Sequence, residues 1–320
     1  MDVGETLKKR IVLFAFVALI GALGWTFVKR PLAVPDTPGV PLPPLPEAKG
    51  VSVSVIPTAE IATLEAFNVR GGSFMNGFTS AIAAFLVEHP RGKILIDAGA
   101  AREIDAHMET TPLLMQAVSN LTLLQPTVDA LKAGGLDPRR LTGIWLTHSH
   151  WDHVSGLADF SDEVPVWLTN EEIEYAWRDE EDGRLFRELQ AQANLQIRKH
   201  QLTDGAYGPF PWSKDYFGDG SVVLLPLSGH TPGSLAILVN LASGKRYLFI
   251  GDTAWAREGV DWPAEKPFLA RNMVDEDPQL VRDQLVFLHK LKKTNPELVI
   301  VPAHDARVHA QMAQFPDREN

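Results

Sequence analysis

Apolar positions along this chain follow two rhythms. Residues 51–57, VSVSVIP, alternate apolar with small polar side chains, the period of a strand buried on one face. The later runs are continuous instead. SAIAAFLVEHP and KILIDAG are separated by the turn-forming Pro90-Arg91-Gly92, which predicts a hairpin. LTGIWLT, VPVWLT, SVVLLPL, LAILVNL, RYLFIGD and ELVIVPAHD predict further strands, with a Gly/Ser turn over residues 240–245. Helical spacing is expected between Ile104 and Ala133, broken near Pro112 and Pro126. A second helix is expected from Asn170 as cap, with Glu171 to Glu174 favouring its first turn. A third is signposted by DEDPQLVRDQLVFLHKLKK, with acids first, Pro278 in the first turn and lysines last. Strands in runs followed by helices predict a mixed α/β (α+β) fold of two sheets with helices outside.

The amino terminus has a different texture. An uncharged run from Ile11 to Val28 lies between Lys8-Lys9-Arg10 and Lys29-Arg30. Eighteen helical residues rise roughly 27 Å, near the thickness of a bilayer core. The run therefore predicts a single transmembrane helix within residues 1–30, an uncleaved signal anchor. The alternative is a cleaved signal and a secreted protein, for which Ala22-Leu23-Gly24 makes a poor processing site. Residues 31–46 hold seven prolines and read as a stiff polyproline spacer within a linker of residues 31–50, holding the body some 40–50 Å from the membrane. The globular domain is expected over residues 51–320, outside the cytoplasm and periplasmic if the cell is Gram-negative.

Composition narrows the chemistry. The net charge of −10 argues against a nucleic-acid partner, which would demand basic surface. The absence of cysteine removes disulfides, thiolate metal sites and thiol nucleophiles. Neither a P-loop nor a G-x-S-x-G elbow is present. Any metal must be held by nitrogen and oxygen.

Such donors are concentrated in LTHSHWDHVSG, where His148, His150, Asp152 and His153 fall within six positions. In extended backbone, positions 148 and 150 point the same way and can share one ion. If a helix begins near Asp152, the next two side chains diverge by about 100° and address a second ion. Three more donors follow predicted strands: His230 in LLPLSGHTPGS, Asp252 in YLFIGDTAW and His304 in LVIVPAHD. Singly, each has an ordinary reading as a loop or turn residue. Together, the seven suit two metals bridged by Asp252. His89, His107, His200, His289 and His309 lack a comparable setting.

The pattern His148-x-His150-x-Asp152-His153, then Gly229-His230, Gly251-Asp252 and Ala303-His304, resembles the metallo-β-lactamase superfamily over roughly Val51 to His309. The resemblance implies a four-layer αβ/βα sandwich with the site at one edge. It assigns His148, His150 and His230 to one metal, Asp152, His153 and His304 to the other, and Asp252 to both. It also implies that Asp97 buttresses the ligand loop. The expected cofactors are two divalent ions, zinc first, with iron or manganese as alternatives.

A metal-dependent hydrolase follows, with Asp152 as general acid–base. The likeness to acyl-homoserine lactonases favours a small-molecule ester or lactone over a β-lactam. A phosphodiesterase, a thioesterase or a catalytically idle, membrane-tethered metal module are the alternatives. Those lactonases carry a tyrosine three residues after the bridging aspartate, where this chain has Trp255. Residues 76–80, Trp151, 207–217 and 254–262 are candidate pocket aromatics, or simply packing ones.

Overall fold

A computed structural model describes residues 13–14, 21, 24–178, 183–193 and 195–320. Two sheets dominate it. The seven-stranded sheet has the order β4-β1-β2-β3-β5-β6-β7, built from β1 (Ser52–Leu64), β2 (Gly77–His89), β3 (Gly92–Ile96), β4 (Asn120–Leu123), β5 (Gly143–Trp145), β6 (Val166–Thr169) and β7 (Ile197–His200). The five-stranded sheet runs β12-β11-β10-β9-β8, from β8 (Lys214–Asp215), β9 (Val222–Pro226), β10 (Leu235–Asn240), β11 (Arg246–Phe249) and β12 (Leu298–Val301).

Continuous apolar runs exist because most central strands are covered on both faces. In β9, Val222 and Leu224 face the inter-sheet core, while Val223 and Leu225 face the outer helix. In β3, Ile94 and Ile96 pack between the sheets and Leu95 packs outward. The middle layer joins Val55, Phe85 and Trp145 to Ile237, Val239 and Phe249. Helices from 104 to 193 cover the larger sheet, and the helix Pro278–Thr294 covers the smaller one through Val281, Leu285, Leu288 and Leu291. The result is a four-layer αβ/βα sandwich.

The hairpin of β2 and β3 forms at the expected turn, with His89 opposite Gly92. Asp277 caps the last long helix by accepting from the amides of Gln279 and Leu280. Other expectations change. The region from Ile104 to Ala133 is not helical throughout, because Asn120–Leu123 forms an edge strand antiparallel to β1. Its half-exposed residues alternate with period two, too briefly to stand out between two proline breaks. The helix after β6 is capped by Thr169, whose hydroxyl accepts from the Glu172 amide. Asn170 is the first helical residue.

The proline-rich stretch is not a free spacer. Leu32 N donates to the Pro263 carbonyl at 2.8 Å, and Leu42 N donates to Asn295 Oδ1 at 2.9 Å. Leu42 is buried in the outer core beside the helix Pro278–Thr294, and Arg246 donates to the Pro43 carbonyl. Extended proline-rich backbone makes no hydrogen bonds within itself, so its amides and carbonyls pair with the body and it lies as a strap. Most of the uncharged run from Ile11 to Val28 lies outside the described residues. Among the described residues, no helix is long and apolar enough to cross a membrane.

Candidate metal centre

The centre sits where strands of both sheets end. β5 runs through Leu146 and Thr147 into His148; the backbone is still extended at His150 and turns helical over Trp151–Val154. The expected change of direction near Asp152 therefore occurs. His230 occupies the turn after β9, Asp252 a single helical turn, Gly251–Thr253, after β11, and His304 the loop after β12. Gly251 has φ of 49°, and a Cβ there would lie 3.0 Å from Thr147 Oγ1, so the Asp252 loop can approach the histidine loop this closely only with glycine.

The structure brings all seven predicted residues together. Ligand atoms of His148, His150 and His230 lie within 4.8 Å of one another, as do those of His148, His153 and Asp252, and those of Asp152, His153 and His304. His230 Nε2 is 3.2 Å from His148 Nε2 and 2.9 Å from His150 Nδ1. Three nitrogens on one tetrahedral zinc stand roughly 3.3 Å apart, so these separations are near the edges of such a polyhedron. Asp252 Oδ1 faces His153 Nε2 at 3.1 Å, and Oδ2 faces His304 Nε2 at 3.1 Å and His230 Nε2 at 3.6 Å. Asp152 Oδ2 lies 3.3 Å from His304 Nε2. Asp252 is thus the carboxylate between the two histidine groups.

Each ring is held from behind. His153 Nδ1 bonds Asp97 Oδ2 at 2.8 Å, His230 Nδ1 bonds Asp275 Oδ1 at 2.8 Å, and His304 Nδ1 donates to the Ala81 carbonyl at 2.7 Å. His150 Nε2 meets the Tyr175 hydroxyl at 3.2 Å, and His148 Nδ1 meets Thr147 Oγ1 at 3.2 Å. In a neutral imidazole, a proton spent outward leaves a lone pair inward. Converging lone pairs in a buried nest repel unless a cation gathers them, so the donor set fits metal.

The electrostatics divide the nest in two. Burial holds His148 well below the usual imidazole value, helped by the neighbouring histidines, and burial takes His230 down to about 4. For His153, burial opposes charge, but Asp97 and Asp252 outweigh it and hold the ring well above its ordinary value. Asp252 is likewise opposed by burial, yet His304 and His153 keep it well below the carboxylate range. The nest stabilises positive charge beside Asp252 and neutral nitrogen around His148 and His230.

Several supporting residues had no signal in the sequence as functional groups. Glu172 is buried and accepts from Ser149 N, Ser149 Oγ and Thr231 Oγ1, clamping the first histidine loop to the His230 turn. Burial pushes its carboxyl up. Lys266 is buried too, donating to the Asp252 carbonyl at 2.6 Å and to Asp275 Oδ1 at 2.7 Å. It ties the backbone of the Asp252 loop to the residue that orients His230. Replacing Lys266 with Met should lower metal affinity by about 10–100-fold, the usual cost of losing an outer support, measured by chelator competition. Unchanged affinity would remove Lys266 from the site. Asp97 buttresses the loop, accepting from Thr147 N at 2.7 Å as well as bonding His153.

The mouth differs from the sequence reading. Trp151 and Trp255 line it as expected, but the other wall is Thr110, Pro112, Met115 and Val274. The aromatics of residues 207–217 pack elsewhere: Phe210 against Phe287, Tyr216 against Trp145 and Phe217 against His89. Phe78 belongs to a small cluster with Val69, Ala256 and Ala264. The Trp255 indole donates to Asp252 Oδ2 at 2.7 Å, so its N–H is committed to the carboxylate. None of the five remaining histidines joins a donor cluster among the described residues.

A family model described as the metallo-beta-lactamase superfamily matches residues 78–304. The N-acyl homoserine lactonase AttM of Agrobacterium fabrum is 26% identical over 239 residues, covering 73% of this chain and 85% of that one. A probable metallo-hydrolase of Mycobacterium tuberculosis is 30% identical over 284 residues, 81% of this chain and 83% of its own. The fold matches a solved N-acyl homoserine lactone hydrolase, which holds its product N-hexanoyl-L-homoserine at a catalytic metal centre. The TM-score is 0.65 at 19% identity, over 84% of this chain and 98% of that one.

Proposed function

The chain belongs to the metallo-β-lactamase superfamily and is a metal-dependent hydrolase, and from that premise we propose that it opens an ester or lactone bond at a pair of divalent ions. The supporting observation is the orientation of the rings: five imidazoles are fixed from outside with a nitrogen facing inward around Asp252. His148, His150 and His230 would hold one ion and Asp152, His153 and His304 the other, with Asp252 between them. Zinc suits this nitrogen-rich set, and iron or manganese are the alternatives. When bound, such ions supply water acidified to near-neutral pKa and Lewis-acid polarisation of a carbonyl.

The chain's own residues do the rest. Asp152 lines the cleft and stays partly exposed, placed to hold a proton and pass it to a departing alkoxide. Trp255, tied to Asp252, walls the cleft and offers no N–H to a substrate carbonyl. Pro112, Met115, Trp151 and Val274 make the mouth apolar, which suits a neutral ester or lactone with an apolar chain.

The test is a hydrolysis panel on the full chain with esters, acyl lactones, thioesters, β-lactams and phosphodiesters. Lactone or ester turnover should fall by about a thousandfold or more on chelation and return with zinc. Turnover of phosphodiesters alone, or full metal loading with no turnover, would overturn the reading. We propose separately that Ile11 to Val28 anchors the chain in a membrane, with the body outside the cytoplasm. The uncharged run and its flanking basic residues support this. Flotation of the full chain with lipid vesicles through an alkaline gradient checks it.

A further inference from the structure

The segment that carries the anchor run onto the body ends on an apolar face. Phe27 packs edge-on against Phe74 at 4.9 Å and Phe67 at 6.2 Å. Arg70 holds the Val28 carbonyl through Nε at 3.1 Å and the Trp25 carbonyl through Nη2 at 3.2 Å. Lys29 lies over the Trp262 ring, 3.4 Å from its centroid. With Leu32 bonded to Pro263, residues 25–32 are fixed to the body. A span ending at Val28 therefore meets the body directly and leaves no reach for it to stand off.

The surface around this junction is rich in exposed apolar side chains. Phe67 is 45% exposed, Phe74 50% and Met75 91%. The helix Phe268–Val274 buries none of its residues and adds Phe268, Leu269 and Met273. Glu265 connects the two parts, accepting from Arg70 Nη1 at 2.8 Å while pairing with Arg271 of that helix. The same helix ends at Val274, which lines the mouth of the metal site. Monomeric proteins rarely leave apolar patches of this kind to water.

We propose that the face carrying Phe67, Phe74, Met75, Phe268, Leu269 and Met273 rests on the bilayer, so that the site mouth opens at the lipid–water interface and takes acyl substrates dissolved there. The inference rests on the membrane anchorage proposed above. Exposed aromatic and aliphatic side chains beside an anchoring run suit the boundary between acyl chains and headgroups. The exposed basic residues at the junction, Lys29 and Arg30, suit the headgroup level.

Because the chain has no cysteine, a single environment-sensitive NBD dye can be placed by Met75→Cys or Leu269→Cys, with Arg139→Cys as a control outside the patch. The full-length variants are reconstituted into phosphatidylcholine/phosphatidylglycerol vesicles with and without nitroxide-labelled lipid. At positions 75 and 269 the nitroxide should remove about half of the emission or more, and at 139 almost none. Protein that floats with the vesicles but shows no quenching at 75 and 269 would overturn the surface and leave the anchorage standing. Protein that does not float would overturn both. A signal that follows protein density rather than nitroxide would assign the patch to a second copy of the chain, again overturning the proposal.

Discussion

Asp252→Ala should cost about a thousandfold or more in kcat/KM and reduce bound zinc to one ion per chain or fewer. The carboxylate faces His153, His304 and His230 within 3.6 Å, which puts it between the two histidine groups. Its loss also removes the negative charge that offsets charge on His153 and His304. The isosteric Asp252→Asn separates chemistry from folding. It fills the same space and should keep Tm within a few degrees, while its amide cannot join two cations. Elemental analysis beside a hydrolysis assay reads both effects. Two retained ions with undiminished turnover would refute a bridging role.

Asp97 carries the second large effect, although it touches no reacting atom. It accepts from Thr147 N and His153 Nδ1, and its backbone has φ of 57°, a conformation that costs a non-glycine residue energy. Asp97→Ala takes the acceptor from three buried donors, Thr147 N, Thr147 Oγ1 and His153 Nδ1, and should destabilise the fold by about 3–5 kcal/mol, seen as a lower denaturation midpoint. Asp97→Asn tolerates the left-handed backbone and keeps one acceptor oxygen for Thr147. If its amide turns toward His153, the ring proton moves to the inward nitrogen. That variant should fold and yet lose metal affinity about 10–100-fold. Wild-type affinity in the Asn variant would show that Asp97 serves the fold alone.

The contrast between these residues and their supports explains what the sequence could reveal. All seven donors were readable because each follows a strand buried enough to leave an apolar signature, and clustered histidines have few other uses. Glu172, Asp275 and Lys266 were not, for a physical reason. An acid near a helix start already has an explanation in the helix dipole, so Glu172 in NEEIEY and Asp275 in DEDP carried no surplus signal. Lys266 lies in PAEKPF, with no periodicity around it. The two-sided strands were readable from their length and continuity, whereas β4 was too short and lay at an edge. The strap was misread because proline fixes the backbone shape of a segment without saying what lies beside it.

That strap alters how the protein must be handled. Val51 looks like a natural starting point for a trimmed enzyme, since the regular strands begin there. Cutting at that residue would uncover the groove that receives Leu42, remove the Leu42 amide from Asn295 Oδ1 and the Pro43 carbonyl from Arg246, and loosen the outer helix of the smaller sheet. The same helix begins beside the His230 turn, whose backbone carbonyls at Gly229 and His230 receive the amides of Asp277 and Glu276. Shortened preparations should therefore begin before Pro31, because inactivity in one starting at Val51 would report a damaged scaffold rather than the wrong substrate.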